Sequence, residues 1–255
     1  MKKLLTLFFV CALPITSAFA EFVISPSFGY ANIYSKATDT KNRDIGLVKG
    51  SVEITNKLNH HALVLGVDLG GYFRNGFGIF FNSNFALGGN IKYLTTAKFK
   101  VESGLGNVEK EAKIDLTLKD LKGVSWASQL LFGGTKKFSN NFNLSFFAGL
   151  SAGMDYFSVN KVEKNGNSVD LSGLSAKDHT SFSYYTVGVP LQLHLSYYFA
   201  KHFGVTFSIV ELPSMTIGSK DELIEIPSLK KDESSSTKLG FQNMLYIKVG
   251  PSFKF

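Results

Sequence analysis

Five histidines, a single cysteine and a modest set of carboxylates are what this 255-residue chain offers for catalysis. Acyl transfer to or from a lipid would need a serine, a histidine and a carboxylate that converge on one point. His60, His61 and His179 are the histidines placed for such a site, and serines and aspartates are plentiful. No recognisable motif surrounds any of the three. His194 and His202 sit near the opposite strand ends and fit no such site. The acidic run of Asp221, Glu222, Glu225, Asp232 and Glu233 would attract cations, yet it lacks the ligand spacing of a calcium loop. The expectation is a chain with no enzymatic activity, no metal and no cofactor.

The cysteine itself leaves with a leader. Met1-Lys2-Lys3 is a basic n-region, Leu4 to Leu13 an apolar h-region, and Ala18-Phe19-Ala20 a small-x-small cleavage site, which predicts a cleaved signal peptide over residues 1–20. Cys11 lies in the h-region behind the bulky Val10, a poor lipidation site, so the chain from Glu21 onward has no thiol and no disulfide. Loss of Lys2 and Lys3 lowers the formal charge from +7 by two, a mild excess with no nucleic-acid stripe. With 24 Phe and 10 Tyr the chain is not disordered. Beyond the leader no run approaches the ~18 to 20 apolar residues of a membrane helix. Its apolar surface must therefore be built by alternation.

Alternation is what the rest of the chain shows. Phe22, Ile24, Pro26, Phe28 and Tyr30 alternate with Val23, Ser25, Ser27, Gly29 and Ala31; Leu63, Leu65, Val67 and Leu69 with Val64, Gly66, Asp68 and Gly70. The third segment reads Phe77, Ile79, Phe81, Phe85, Leu87, Gly89, Ile91 and Tyr93 on one face, with Asn82, Asn84 and Lys92 on the other. Further segments begin near Val124, Phe142 and Tyr185; a short one covers Phe203 to Ile209, and the last runs from Leu239 to Phe255. Eight stretches with one apolar and one polar or glycine-rich face have the pattern of transmembrane β-strands.

Connection lengths separate this from a soluble sandwich. Arg74-Asn75-Gly76, Lys136 to Asn141 and Ala200-Lys201-His202 are short; they alternate with long connections at about 35–60, 94–122, 158–181 and 211–238. Tight periplasmic turns and long external loops make that asymmetry. Outward aromatics sort the same way, Phe73, Phe77, Phe132, Phe142, Phe199 and Phe203 toward the short turns, and Tyr34, Tyr93, Trp126, Tyr156, Tyr185 and Phe241 toward the long ones. The predicted fold is all-β: an eight-stranded antiparallel up-and-down transmembrane β-barrel over 21–255, with short periplasmic turns, long extracellular loops and both termini periplasmic. The tail, with Tyr246, Val249, Phe253 and the terminal Phe255, resembles the C-terminal signal read by the outer-membrane assembly machinery. Together these features resemble the small eight-stranded outer-membrane barrels grouped around the OmpA transmembrane domain, OmpX and OmpW.

Two roles remain open on this reading, with outer-membrane lipid as the solvent and a monomer expected. An eight-stranded interior holds side chains or one small ligand. The predicted lumen carries Asp68, Asn82, Asn84, Lys92, Asp155, Gln192, His194 and Lys248, with Gly66, Gly149 and Gly188 leaving space. The resemblance to OmpW-like proteins implies a narrow conduit for small, partly hydrophobic solutes, with Pro26, Pro190 and Pro251 as weak points for a seam or side exit. Pro190, inward and mid-strand, predicts a kink or a missing bond. The resemblance to OmpX-like proteins implies instead a surface adhesin or interaction protein. Ala97, Phe99 and Val101 keep the parity of one strand and Ile114, Leu116 and Leu118 that of the next, so a hairpin turning near Ser103 to Asn107 would project toward a host or matrix ligand.

Overall fold

The computed structural model describes residues 19–45, 48–103, 112–119, 122–139, 141–159, 161–164, 167–170, 180–218 and 238–255. Most of the predicted leader therefore lies outside the described residues. The chain forms twelve strands: β1 (Glu21–Ile45), β2 (Val48–Tyr72), β3 (Phe77–Ser103), β4 (Ala112–Lys119), β5 (Lys122–Lys137), β6 (Phe142–Val159), β7 (Lys161–Lys164), β8 (Asn167–Asp170), β9 (Thr180–Gly188), β10 (Leu191–Ala200), β11 (Phe203–Gly218) and β12 (Lys238–Lys254). No described helix is long and apolar enough to cross a membrane.

Nine of these strands close an antiparallel ring. β1 pairs β2, β2 pairs β3, β3 pairs β5 and β5 pairs β6. β6 then pairs both β9 and β10, each of which also pairs β11. β11 pairs β12, and β12 returns to β1. β9 and β10 are one stave broken at Val189 and Pro190, since Gly188 faces Ser214 and Leu191 faces Glu211 in a single unbroken register. The barrel thus has eight staves. Closure pairs the spanning backbone groups within the sheet apart from the proline breaks, the one way a sheet can cross a medium without hydrogen-bond partners.

Side-chain alternation sets the two surfaces. Phe28, Leu63, Leu65, Phe81, Leu130, Phe146, Leu150 and Val187 are exposed on the outside, while Asp68, Asn82, Gln129 and Gln242 are buried within. One stave departs from the predicted parity. Gly88 and Gly89 take φ of 64° and 85° and form a bulge opposite Ala62, where the register steps from Leu63↔Leu87 to His61↔Asn90. A Cβ at Gly89 would collide with the His61 carbonyl oxygen. One extra residue reverses every side chain beyond it. Ile91 and Tyr93 are therefore buried inside and Lys92 is exposed outside, which corrects the placement of Lys92 in the lumen and of Tyr93 in the outer girdle.

The long connections also differ from loops. β1 and β2 pair without interruption to Ile45↔Val48, and β3 runs to Ser103 with β4 antiparallel to it from Tyr93↔Leu118 to Phe99↔Ala112. β7 pairs β4, and β8 pairs β7. The seventh predicted segment, ending at Ile209, is a stave reaching Gly218 that includes Glu211 and Pro213. The turn expected near Ser103 to Asn107 lies outside the described residues from 104 onward, as do 160, 165–166 and 171–179 of the third connection and 219–237.

Candidate functional site

The lumen is layered, and β2 alone shows the order. From the terminal end its inward residues are Tyr72, Asp68, Val64, Ala62 and His60, all buried. Tyr72 belongs to a cluster with Val23, Phe80, Leu131 and Phe147. Phe80 and Phe147 pack with ring centroids 4.9 Å apart. Hydroxyls tie this end together: Tyr72 Oη lies 2.8 Å from Ser145 Oγ, Ser25 Oγ donates to Ser252 Oγ at 2.8 Å, and Tyr198 Oη lies 3.1 Å from the same Ser252 oxygen.

Directly beyond lies a charged network. Asp68 Oδ1 accepts from Asn82 Nδ2 and from Gln192 Nε2 at 3.1 Å, with His194 Nε2 4.0 Å away. Gln192 also contacts the His194 ring nitrogen. Lys248 Nζ stands 3.6 Å from Asp68 Oδ2 and donates to Asn84 Oδ1 at 2.7 Å, while Asn84 donates to Asn82. Six of the eight residues expected in the lumen thus form one connected group, drawn from β2, β3, β10 and β12. Gly66 makes room for it, since a Cβ there would lie 3.1 Å from Lys248 Nζ and against Asn84 Oδ1. Removing two charges from water is costly, and only mutual pairing with further hydrogen bonds offsets that cost.

Above the network a second apolar layer, including Ala31, Val64, Ala86, Ala127, Met244 and Tyr246, fills the lumen. Asp155 lies farther along, apart from the charged group: Gln242 Nε2 donates to its Oδ2 at 2.6 Å, and its Oδ1 has no hydrogen-bond partner. Asn82, Asn84, Gln192, Leu131 and Phe147 are each 0% exposed, so no continuous water column runs through these layers.

His60 and His61 do not share a site. His60 is buried, 2.6 Å from the Gly88 carbonyl oxygen and edge-on to Phe157. His61 points outward to the Tyr30 hydroxyl. Consecutive strand residues face opposite ways, which is why two adjacent histidines serve two surfaces; His179 lies outside the described residues. No group of three or more His, Cys, Asp or Glu able to hold a metal gathers among the described residues.

The three predicted prolines occupy two breaks. Pro190 is inward and interrupts its stave; its carbonyl still accepts from Gly149 N at 3.2 Å. Pro26 and Pro251 face each other across the β1–β12 seam, in the gap between the Ile24↔Phe253 and Phe28↔Val249 pairs of one continuous register. Phe22 and Phe255 exchange both backbone hydrogen bonds, so every second pair above them should do the same. At Pro26 and Pro251 neither residue has an N–H to give. The sequence-based reading missed Pro213, which faces Val189 one register step from Pro190↔Leu212 and accepts its N–H at 3.0 Å. Parity alone would have exposed it, had the stave been carried past Ile209.

Residues 18–255 match the family described as "Domain of unknown function (DUF2715)". No curated protein matches the sequence. Among solved structures, the outer membrane protease OmpT from Escherichia coli superimposes with a TM-score of 0.53 at 11% identity, covering 92% of this chain and 97% of that one. The outer membrane protein OprG from Pseudomonas aeruginosa gives 0.43 at 14%, covering 93% and 97%. Ail, the attachment invasion locus protein of Yersinia pestis, gives 0.36 at 14%, covering 92% and 99%. At such identities the likeness is one of fold: an outer-membrane β-barrel.

Proposed function

We propose that this chain, which belongs to the DUF2715 family, is an integral outer-membrane barrel that acts through the sheet it projects beyond the bilayer, as a surface-interaction protein. The observation that carries this reading is the contrast between the two parts. The lumen is packed through successive layers, whereas β1, β2, β3 and β4 continue as paired strands well past the apolar belt, with β7 and β8 extending the same sheet. Beyond Ala37↔Gly240 the pairing of β1 with β12 stops, so among the described residues the upper part of β1 is an edge. An open edge offers main-chain donors and acceptors to a partner strand.

The test is replacement of Lys98 to Lys119 by a short Gly-Ser turn, with binding of the refolded barrel to immobilised fibronectin, laminin, collagen and heparan sulfate read by surface plasmon resonance. The wild-type chain is expected to bind at least one of these surfaces and the deletion to lose that binding while keeping heat-modifiable migration. Unchanged binding by the deletion would overturn the reading. A conduit for small hydrophobic solutes is the second reading, supported by the facing prolines at the seam. It requires the Tyr72, Phe80 and Phe147 layer to move, and Phe80→Ala should then raise solute flux into proteoliposomes.

A further inference from the structure

Four lysines on the outer surface stand in an arrangement that nothing in the described chain balances. Lys36 on β1, Lys57 on β2, Lys92 on β3 and Lys122 on β5 all face outward and are exposed. Lys36 and Lys57 are direct cross-strand partners. Lys57 faces Leu94 and Lys92 faces Asn59, so Lys92 is the diagonal neighbour of Lys57. Lys122 is the next outward position above Val124, whose partner is Leu87, and the outward residues beyond Leu87 on β3 are Asn90 and Lys92. The four therefore form a band across adjacent staves.

Like charges directly opposite each other in a sheet are destabilising. No ion pair to these lysines occurs among the described residues. Glu53, the carboxylate farther up the same face of β2, is opposed in register by Lys98. The band has a defined depth: Tyr34 lies directly below Lys36 and Val124 directly below Lys122, while below Lys57 and Lys92 the polar Asn59, His61 and Asn90 lead down to Leu63 and Leu87. Tyr34, Leu63, Leu87, Val124 and Trp126 are exposed at the top of the apolar belt. It is also one-sided. On the remaining staves the outward positions at the top of the belt are Ser158, Ser183, Ile217 and Phe241, none of them basic.

We propose that this band is a binding site for the phosphate groups of anionic lipid headgroups, held on the side of the barrel formed by β1, β2, β3 and β5. Acyl chains would lie along Leu63, Leu87 and Val124. The lysine stems reach across the interface while their ammonium groups meet the phosphates, and the bound anion relieves the repulsion between Lys36 and Lys57. The proposal is independent of what the projecting sheet binds.

Native mass spectrometry of the refolded barrel in mixed micelles tests it, with phosphatidylglycerol and phosphatidylcholine as the competing probes. The wild-type chain is expected to retain phosphatidylglycerol preferentially. The Lys36→Gln, Lys57→Gln, Lys92→Gln, Lys122→Gln variant should lose that preference, by about fivefold per lysine replaced. A control carrying Lys136→Gln and Lys201→Gln, at the opposite end of the barrel, should keep it. If the fourfold variant fails to shift on boiling, the Lys36→Gln, Lys57→Gln pair is scored in the same way. Equal retention of the two lipids by the wild type, undiminished preference in the variants, or an equal loss in the control would each overturn the assignment.

Discussion

At Asp68 and Lys248 two opposite charges stand 3.6 Å apart with no exposure to solvent worth the name, held by two asparagines and a glutamine. Truncating one partner leaves the other charged and buried, which typically costs about 3–5 kcal/mol. Asp68→Ala should therefore lower the unfolding free energy by about that amount in a urea titration of the lipid-reconstituted barrel. Adding Lys248→Met should recover most of the loss, because it removes the stranded ammonium; a double variant no better than the single would show that the network is not the source of the effect. The lumen residues were legible because strand parity alone lists what points inward. Lys92 was not, because the reversal at Gly88 and Gly89 depends on positive φ at both residues. A glycine pair inside an alternating strand is the only trace of it in the sequence, and such pairs also occur as plain small-residue positions. Gly89→Val is expected to abolish heat-modifiable migration, since its side chain would run into the His61 carbonyl.

On the scale of the strand, the breaks matter more than the regular runs. The seam between β1 and β12 keeps one register on both sides of Pro26 and Pro251, so the two prolines remove hydrogen bonds without displacing the strands. Restoring both donors with Pro26→Val and Pro251→Val should strengthen the seam by about 0.5–1.5 kcal/mol per bond. Hydrogen exchange would read this directly: the amides of residues 24, 25, 27 and 28 should exchange faster than those of 30–34 in the wild type, and the difference should shrink in the double variant. No change in exchange would mean that the gap is already bridged. The two prolines were visible as outward residues near the terminal ends, but their direct opposition needs the register, which alternation does not supply. The same holds for Lys36 and Lys57, each an ordinary surface lysine until pairing sets them side by side.

For the whole molecule the decisive feature is a closed sheet filled to its axis. A lumen packed by Phe80, Leu131 and Phe147 at the terminal end, a charged layer next and an apolar layer beyond leaves no path for hydrated ions. Planar bilayers containing the refolded barrel should show no persistent single-channel steps, and regular steps would count against the surface-interaction reading. Alternating patterns, turn spacing and aromatic placement determined by themselves that the chain is an eight-stave antiparallel barrel with opposed apolar and polar surfaces, because lipid outside and side chains inside impose a period of two on every spanning strand. Local pattern ends there. Whether the inward side chains meet across the axis, where β3 turns over, which prolines and lysines face each other, and how far β1 to β4 continue as sheet were decided only by tertiary structure. Each depends on register and closure, which are set by partners distant in the chain.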